Sequence, residues 1–382
     1  MQKMTNENLH EANPHGELGL IALSSCKDFG AKIDYHLKEM RKRAGLECPD
    51  TFLIPIEEIR FTNGEGKTRL PSSVRGRDIF ILCDPGNYSC TYNLYGYTNR
   101  KNPDEHFQDL KRALSAICGK STRSAVVMPL MYASRQDKRK GRESLDCAMA
   151  LRELERLGVK DIISFDLHDS RVQNAIPNGS LENLHSTYAI VKTLIQEEKD
   201  IVADRENLLI ISPDSGGMDR AIYYASVLGT DVGMFYKRRD VSVVVNGKNP
   251  IIQHDYLGPS LKGKNVVITD DIIASGESTL DIACQVKKLG ASKVFIAATF
   301  ALFTEGCDKF IKYFSEGVIS RVYSTNLTYA PEEIKNMQWY HDVDMSEYLA
   351  KIIDRLNNDL SIAPLIDSAG PLKEKLKELR NI

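Results

Sequence analysis

The sequence predicts an α/β fold of two domains, each built on a mainly parallel sheet flanked by helices. Three observations predict it. The length of 382 residues suits about two domains of roughly 150 residues each. Short apolar runs rich in β-branched residues alternate with amphipathic helical patterns, and these runs are continuous, which is typical of parallel strands covered on both faces. Because ligands of such sheets bind beyond the carboxyl ends of the strands, a site is expected in the loops that follow them.

Seven apolar runs are the predicted strands, and they span residues 20–23, 79–82, 125–128, 161–165, 208–212, 266–269 and 294–299. Between them, apolar residues recur at helical spacing, most clearly over 145–154 and 280–289. Further along the chain, residues 346–357 predict one amphipathic helix, and residues 370–380 predict a more highly charged one.

Turn-forming residues at 177–185 indicate a linker between the two domains. The predicted domains span 18–182 and 183–325, followed by a C-terminal segment with helices at 326–382. Residues 1–17 are polar with little apolar surface to bury, so they are predicted to be disordered.

Composition and charge exclude several classes of protein. Lys+Arg number 50 and Asp+Glu number 52, for a net charge of −2, whereas proteins that bind nucleic acids or anionic membranes by bulk charge carry a clear basic excess. No apolar stretch has the length of a membrane span. The eight cysteines form no CxxC pair or zinc-site spacing, which is typical of free thiols in a reducing compartment. We therefore expect a cytoplasmic protein with no nucleic acid or membrane partner.

Neither common nucleotide-binding fingerprint is present. The sequence contains no GxGxxG motif. Two tripeptides, Gly66-Lys67-Thr68 and Gly119-Lys120-Ser121, end like a phosphate-binding P-loop, but Phe61 and Leu114 stand where each would need its first glycine. Any phosphate site must therefore have another construction.

The strongest local signal is the segment 266–279. A buried strand leads to two adjacent carboxylates, Asp270 and Asp271, and then to small and hydroxyl residues at the start of a helix. Such a helix N-terminus offers N–H and O–H donors to a phosphate, and the carboxylates suit ribose hydroxyls or Mg²⁺. An ordinary capped helix after a strand is the alternative interpretation.

Three weaker signals also follow strands. Asp214 precedes Gly216-Gly217 in a segment that could enclose an anion with backbone N–H groups or simply form a β-turn. His168 follows the strand 161–165, where a lone histidine is more often a satisfied polar residue than a ligand. Two basic clusters, 135–142 and 237–239, are either solvated loops or clamps on a polyphosphate, and the neutral background of the chain favours clamps.

Taken together, these segments resemble the ribose-phosphate diphosphokinases, also called phosphoribosyl pyrophosphate synthetases. The resemblance rests on motifs in family order at residues 61–70, 73–82, 128–143, 160–177, 211–221, 235–239 and 261–279. It implies two phosphoribosyltransferase-like α/β domains. It also implies transfer of the diphosphoryl group of Mg-ATP to the C1 hydroxyl of ribose 5-phosphate, with release of AMP and Mg²⁺ as cofactor.

The resemblance also implies roles for single residues, each at a position that matches the family. ATP would be bound by Phe61, stacked on adenine, together with Asn63, Glu65, Arg135, Gln136 and His168. Ribose 5-phosphate would be bound by Asp270, Asp271, Ser275, Gly276 and Ser278. The loop facing the diphosphate would be Asp214, Ser215, Gly216 and Gly217, with His168 and Asp214 binding the metal. Lys237 and Arg239 would be the catalytic cations.

Some positions depart from the family pattern and leave alternatives open. Ala274 stands where synthetases commonly have aspartate, Glu277 replaces a small residue, and Asn63 replaces an aspartate. A carboxylate facing a phosphate site would be repelled, so Glu277 is expected to point outward or to meet a cation. The acceptor could then be another ribose phosphate, and a phosphoribosyltransferase or a non-catalytic regulatory subunit are further alternatives. The insert at 89–103 is also unusual, and the resemblance implies a homo-oligomer, dimer or hexamer.

Overall fold

The computed structural model describes residues 14–139, 141–239, 251–366 and 369–380, except for the side chains at 237–239, 251–254 and 369. Most of the segment predicted to be disordered, residues 1–13, lies outside the described part. The first strand begins at Glu17.

Strands and helices alternate along most of the chain. The strands are β1 Glu17–Ala22, β2 Glu57–Arg60, β3 Gly66–Arg69, β4 Arg77–Leu82, β5 Thr91–Leu94, β6 Tyr97–Arg100, β7 Arg123–Val127, β8 Asp161–Phe165, β9 Ser180–Leu184, β10 Leu208–Ser212, β11 Asp231–Arg239, β12 Ile251–Leu257, β13 Asn265–Ile273, β14 Val294–Ala301, β15 Arg321–Thr325 and β16 Tyr340–Val343. The helices are α1 Lys27–Arg43, α2 Pro103–Ile117, α3 Asp146–Arg156, α4 Thr187–Glu197, α5 Lys199–Ala203, α6 Met218–Leu228, α7 Glu277–Lys288, α8 Asp308–Ser315, α9 Glu332–Lys335, α10 Ser346–Asn357, α11 Ala363–Ile366 and α12 Ala369–Arg380.

The chain divides into two compact units. Unit 1 comprises Met1–His185, Asn326–Tyr329 and Asp344–Asp367, and unit 2 comprises Ser186–Thr325, Ala330–Val343 and Ser368–Ile382. The chain therefore returns to unit 1 twice after leaving it. The domain boundaries drawn from the sequence stay a prediction.

Unit 1 is built on a parallel sheet. Its described strands pair in the order β1-β4-β7-β8-β9. Residues 79–82 of β4 are fully buried because both faces of the sheet are covered. Helix α10 packs against α1, where Arg41 forms an ion pair of 3.0 Å with Asp354. Two antiparallel hairpins, β2–β3 and β5–β6, stand apart from the sheet.

The segment 177–185, predicted to be a turn-rich linker, instead contains a strand. Residues Ser180–Leu184 form β9, which pairs in parallel with β8 from Asp161 opposite Ser180 to Phe165 opposite Leu184. This strand lies at the edge of the sheet and carries Glu182 and Asn183 between apolar residues. Its mixed sequence, flanked by Pro177, conceals it from a search for apolar runs.

Unit 2 is built on a larger sheet of described strands in the order β12-β11-β10-β13-β14-β15-β16. All neighbours pair in parallel except β11 and β12, which are antiparallel. Strand β14 is buried along its whole length. Helix α12 contributes Leu372 and Leu376 to the core formed with α4 and α6. The prediction of mainly parallel sheets flanked by helices is therefore confirmed.

No helix in the described part of the chain combines the length of a membrane span with a sufficiently apolar sequence.

Candidate active site

In unit 1, Phe61, Asn63 and Glu65 lie together on the loop that joins β2 to β3. The Phe61 N–H donates to the Glu65 carbonyl at 2.8 Å, and the Asn63 amide donates to the Glu65 carboxylate at 2.8 Å. Gly64 has a φ of 89°, a conformation that favours glycine, and it closes the turn. The Phe61 side chain is 48% exposed. The loop therefore presents an aromatic face beside polar groups.

The basic cluster after β7 lies next to the loop that carries His168. Lys138 approaches Asp169 at 3.7 Å, and Asp169 also pairs with Arg171. These cations, Arg171 foremost, hold the pKa of Asp169 well below its usual range. Arg135 and Gln136, in the same basic cluster, are both exposed. The structure thus brings together two segments that the sequence had only indicated separately.

His168 is exposed and follows a tight turn at the end of β8. Asp166 is buried and has a φ of 40°, which is uncommon for a residue other than glycine. Its carboxylate accepts a hydrogen bond from His185 Nδ1 at 2.8 Å, and the Leu167 N–H donates to Asn183 at 3.1 Å. These partners lie on or beside the edge strand β9. They hold the turn, which lets the following side chain reach the surface.

In unit 2, the loop between β10 and α6 is organised by Asp214. Its Oδ1 atom accepts hydrogen bonds from the N–H groups of Gly216 at 2.9 Å and Gly217 at 3.2 Å. Ser212 donates its hydroxyl to the Asp214 carbonyl at 2.6 Å. The glycine N–H groups, which the sequence suggested for binding an anion, therefore point to Asp214 itself. Ser215 and Gly216 are exposed at the tip of the loop.

Asp270 and Asp271 lie within strand β13 and not beyond its end. The predicted strand ended at residue 269, whereas β13 continues to Ile273 and pairs with β14 through Asp270 opposite Ala298 and Ile273 opposite Ala301. The register is the same before and after Asp271, so the ladder continues past both carboxylates. Backbone pairing on both sides of them holds both carboxylates in fixed positions.

The Asp270 carboxyl resists ionisation. Burial raises its pKa, and the neighbouring charge of Asp271 raises it further. Thr279 of α7 donates to Asp270 at 3.4 Å. Arg220, on α6, opposes the shift through its positive charge. Sequence reasoning missed Arg220, although a basic residue in the first turn after the Asp214 loop was the available signal.

Gly276 joins β13 to α7 at a point where no other residue fits. Its φ is 81°, and a Cβ atom there would lie 2.4 Å from the ring of Phe310. The N-cap residue is this glycine, which has no side chain to cap the helix, and the Ser275 hydroxyl accepts a long hydrogen bond of 3.4 Å from the Glu277 N–H. Ser275 is half-buried and Ser278 is exposed, so one hydroxyl precedes the helix and another lies in its first turn.

Glu277, the first residue of α7, has an exposed side chain beside a lysine. Its side chain is 69% exposed and lies 3.9 Å from Lys309. The expectation that Glu277 points outward or meets a cation is confirmed. The first turn of α7 therefore keeps a basic neighbour beside its single acidic residue.

The two catalytic candidates are described by backbone alone. Lys237 and Arg239 belong to β11, and their side chains lie outside the described part of the structure. Among the residues that are described, no group of three or more His, Cys, Asp and Glu side chains is arranged to hold a metal ion.

Family models match both units of the chain. A model described as the N-terminal domain of ribose phosphate pyrophosphokinase matches residues 18–158, and a phosphoribosyl transferase domain model follows it at 177–317. The chain belongs to the ribose-phosphate pyrophosphokinase family. The prediction that it is an enzyme of this family is thus confirmed. The first model covers the loop of Phe61 and the cluster at Arg135, and the second covers the loop of Asp214 and the strand that carries Asp270.

Individual members of the family are similar over most of their length. The ribose-phosphate pyrophosphokinase of Thermosipho africanus is 29% identical over 321 residues, which cover 82% of this chain and 90% of the relative. That of Vibrio cholerae is 27% identical over 318 residues, covering 81% and 90%. The crystal structure of phosphoribosylpyrophosphate synthetase from Mycobacterium smegmatis matches with a TM-score of 0.72 at 22% identity, over 90% of this chain and 99% of that one. This last likeness supports the fold.

Proposed function

We propose that this member of the ribose-phosphate pyrophosphokinase family transfers the diphosphoryl group of Mg-ATP to the C1 hydroxyl of ribose 5-phosphate. The products are 5-phosphoribosyl 1-diphosphate and AMP. The observation that carries the proposal is the junction of β13 and α7, where adjacent carboxylates on a strand precede a helix start with a glycine N-cap and neighbouring serine hydroxyls. This junction offers acceptors for sugar hydroxyls and donors for a phosphate.

Ribose 5-phosphate binds at this junction. Asp270 and Asp271 accept hydrogen bonds from the ribose hydroxyls, and Ser275, Gly276 and Ser278 donate to the 5-phosphate. The partial positive charge of the α7 N-terminus favours that anion. The outward position of Glu277, next to Lys309, supports this assignment because it keeps a carboxylate away from the phosphate.

ATP binds through residues of unit 1. Phe61 stacks on the adenine ring, and Asn63 and Glu65 meet the polar edge of the base. Arg135 and Gln136 contact the phosphates and sugar together with His168. The exposure of the Phe61 ring supports this role, since 48% of it is accessible on a loop closed by its own hydrogen bonds.

The residues present suit a magnesium ion bound together with its nucleotide. Mg²⁺ usually takes one or two carboxylates and completes its coordination with water and substrate phosphates. Asp214 supplies a carboxylate on a loop that its own hydrogen bonds keep ordered. Asp214 would hold the ion, and His168 is the second metal ligand that the family resemblance implies. When bound, it neutralises charge on the phosphoryl oxygens.

The chemistry is an in-line displacement. The C1 hydroxyl oxygen forms a bond to the β-phosphorus of ATP and releases its proton to water, and the bond from that phosphorus to the bridging oxygen of AMP breaks. Lys237 and Arg239 stabilise the negative charge that spreads over the transferred group and the leaving oxygen. The loop of Asp214 to Gly217 faces the diphosphate.

The reaction is tested by incubating the protein with Mg-ATP and ribose 5-phosphate and following products by ³¹P NMR. We expect AMP and a diphosphorylated sugar in equal amounts. A sample without sugar controls for ATP hydrolysis, and a panel of other ribose phosphates tests the acceptor, because Ala274 stands where synthetases commonly have aspartate. A protein that forms no AMP with any ribose phosphate would contradict the proposal.

We further propose a cytoplasmic homo-oligomer, either a dimer or a hexamer, on the basis of the family. Light scattering coupled to size-exclusion chromatography measures the mass of the assembly directly. A monomer at micromolar concentration would rule this assembly out.

A further inference from the structure

The insert at 89–103 forms a hairpin that lies against the base-binding loop. Its strands β5 and β6 pair from Thr91 opposite Arg100 to Leu94 opposite Tyr97. The hairpin is closed at its base, where the Lys101 N–H donates to the Cys90 carbonyl at 2.8 Å. It belongs to unit 1, as does the β2–β3 hairpin.

Three contacts connect the insert to successive points on the β2–β3 hairpin. At the base, the buried ammonium of Lys101 donates to Glu58 at 2.8 Å. In the middle, the Arg60 guanidinium lies over the ring of Tyr92, 5.0 Å from its centre. At the tip, Leu94 lies beside Gly64. A Cβ atom placed on Gly64 would lie 3.4 Å from the Leu94 side chain, which is a van der Waals contact.

Arg60 connects the contact with Tyr92 to the loop between β2 and β3. Its Nη1 atom donates to the Gly64 carbonyl at 3.2 Å, inside the turn that carries Phe61, Asn63 and Glu65. Its Nη2 atom pairs with Asp109 of α2 at 3.1 Å. The guanidinium thus contacts Asp109 of α2 and the aromatic face of Tyr92. Its hydrogen bond to Gly64 connects both contacts to the loop between β2 and β3.

We propose that the insert is a positioning element for the adenine-binding loop and that Tyr92 is a positioning residue acting through Arg60. The inference rests on the proposed function, in which this loop binds the base of ATP. A loop held in its binding conformation loses less entropy when the base stacks on Phe61, so nucleotide affinity is higher. The phosphates of ATP do not depend on this loop.

The test compares Tyr92→Ala with Tyr92→Phe and with Tyr97→Ala. The phenylalanine variant keeps the ring under Arg60. Tyr97 lies on the same hairpin and is 75% exposed, which makes it a matched control. Isothermal titration calorimetry gives the Kd of each variant for ATP and for inorganic triphosphate, which lacks the base, and steady-state kinetics gives kcat and both KM values.

For Tyr92→Ala, we expect the Kd and KM for ATP to rise about fivefold. The Kd for triphosphate, the KM for ribose 5-phosphate and kcat should stay within about twofold of wild type. Tyr92→Phe and Tyr97→Ala should resemble wild type in every measurement. An unchanged ATP affinity in Tyr92→Ala, or an equal loss for triphosphate, overturns the inference. A wild-type protein that does not bind ATP overturns the proposed function instead, whatever the variants do.

Discussion

Asp84 is a buried acid that ties a late segment of the chain into unit 1. Its carboxylate accepts hydrogen bonds from the Thr328 hydroxyl at 3.1 Å, the Tyr329 N–H at 3.0 Å and the Gly86 N–H at 2.8 Å. Burial nevertheless raises its pKa to about 7, because these bonds only partly offset the loss of water around the charged form.

This pKa shift has a definite consequence for stability. In the unfolded chain an aspartate titrates near 3.9, so between pH ~4 and ~7 the folded state holds a proton that the unfolded state has released. The stability due to Asp84 is therefore fully present below pH ~4 and is lost as the pH rises through ~7. Asp84→Asn removes this dependence because the amide does not titrate.

We expect the loss of melting temperature in Asp84→Asn, relative to wild type, to be smaller at pH 8 than at pH 5. Asp344→Asn is the control: hydrogen bonds from Ser346 and Asn326 overcome the burial of Asp344 and lower its pKa to about 2, so it is charged at both pH values. The loss of melting temperature in Asp344→Asn should be the same at pH 5 and pH 8. Differential scanning fluorimetry measures both series. If the loss of melting temperature in Asp84→Asn is larger at pH 8 than at pH 5, the predicted direction of the pH dependence is wrong.

Lys237 is the residue whose removal should separate binding from turnover. In phosphoryl transfer, one cation on the transition state contributes about 10³ in rate or more. We expect Lys237→Ala to bind ATP and ribose 5-phosphate with near-normal Kd while losing most of its turnover. Single-turnover kinetics with calorimetry checks both quantities, and near-normal turnover would remove Lys237 from the mechanism.

Among the structural elements, those with continuous apolar sequence were predictable. Strands β8 and β10 coincide with the predicted runs at 161–165 and 208–212, and α10 coincides with the predicted helix at 346–357. Strand β13 is longer than predicted because pairing with β14 continues past two aspartates, which no local pattern reveals. Hairpins β2–β3 and β5–β6 were missed, since they alternate polar and half-buried residues outside the main sheet.

The candidate site was predictable for a related reason. Motifs that combine a strand end, small residues and charge mark Asp214 and the Asp270–Asp271 pair even without coordinates. Asp214 accepts hydrogen bonds from the N–H groups of Gly216 and Gly217, and these bonds depend on the conformation of the loop, which the sequence does not reveal. The contact between Lys138 and Asp169 joins two loops 31 positions apart, and spacing along the chain carries no information about it.

The base of the insert is held by a buried ion cluster whose strength can be measured. The Lys101 ammonium donates to Glu58, Asp109 and Ser24, so all three of its protons are bound. Removing this buried cation leaves the Glu58 carboxylate without its ion-pair partner, whereas Asp109 keeps Arg60 and Arg112, and breaking a buried ion pair costs about 3–5 kcal/mol. We expect Lys101→Met to lower the free energy of unfolding by that amount, measured by urea denaturation.

The control for this variant is a surface pair in the same unit. Lys32 lies 3.2 Å from Asp344, and both side chains are about half exposed. Such pairs contribute about 1 kcal/mol or less, so Lys32→Met should be nearly neutral. If Lys101→Met costs no more than Lys32→Met, the cluster does not anchor the insert.

At the scale of the whole molecule, the proposed sites for the adenine base and for ribose 5-phosphate lie on two units with separate cores. Unit 1 has its own buried cluster around the β1-β4-β7-β8-β9 sheet, and unit 2 has clusters on both faces of its sheet. The side chains proposed to bind the adenine base therefore rest on a different core from those proposed to bind ribose 5-phosphate. A change in one site should leave the affinity of the other site intact.

Phe61→Ala and Asp271→Asn test this independence together. Loss of base stacking is worth about 1–3 kcal/mol, so Phe61→Ala should raise the Kd for ATP about tenfold while the Kd for ribose 5-phosphate stays within about twofold. Asp271→Asn should do the reverse, since an amide donor replaces one acceptor for the ribose hydroxyls. Tyr97→Ala, another exposed aromatic residue of unit 1, should affect neither ligand. Calorimetric titration of each variant with each ligand gives the full set of values, and equal weakening of both ligands by Phe61→Ala would mean that the two sites are not independent.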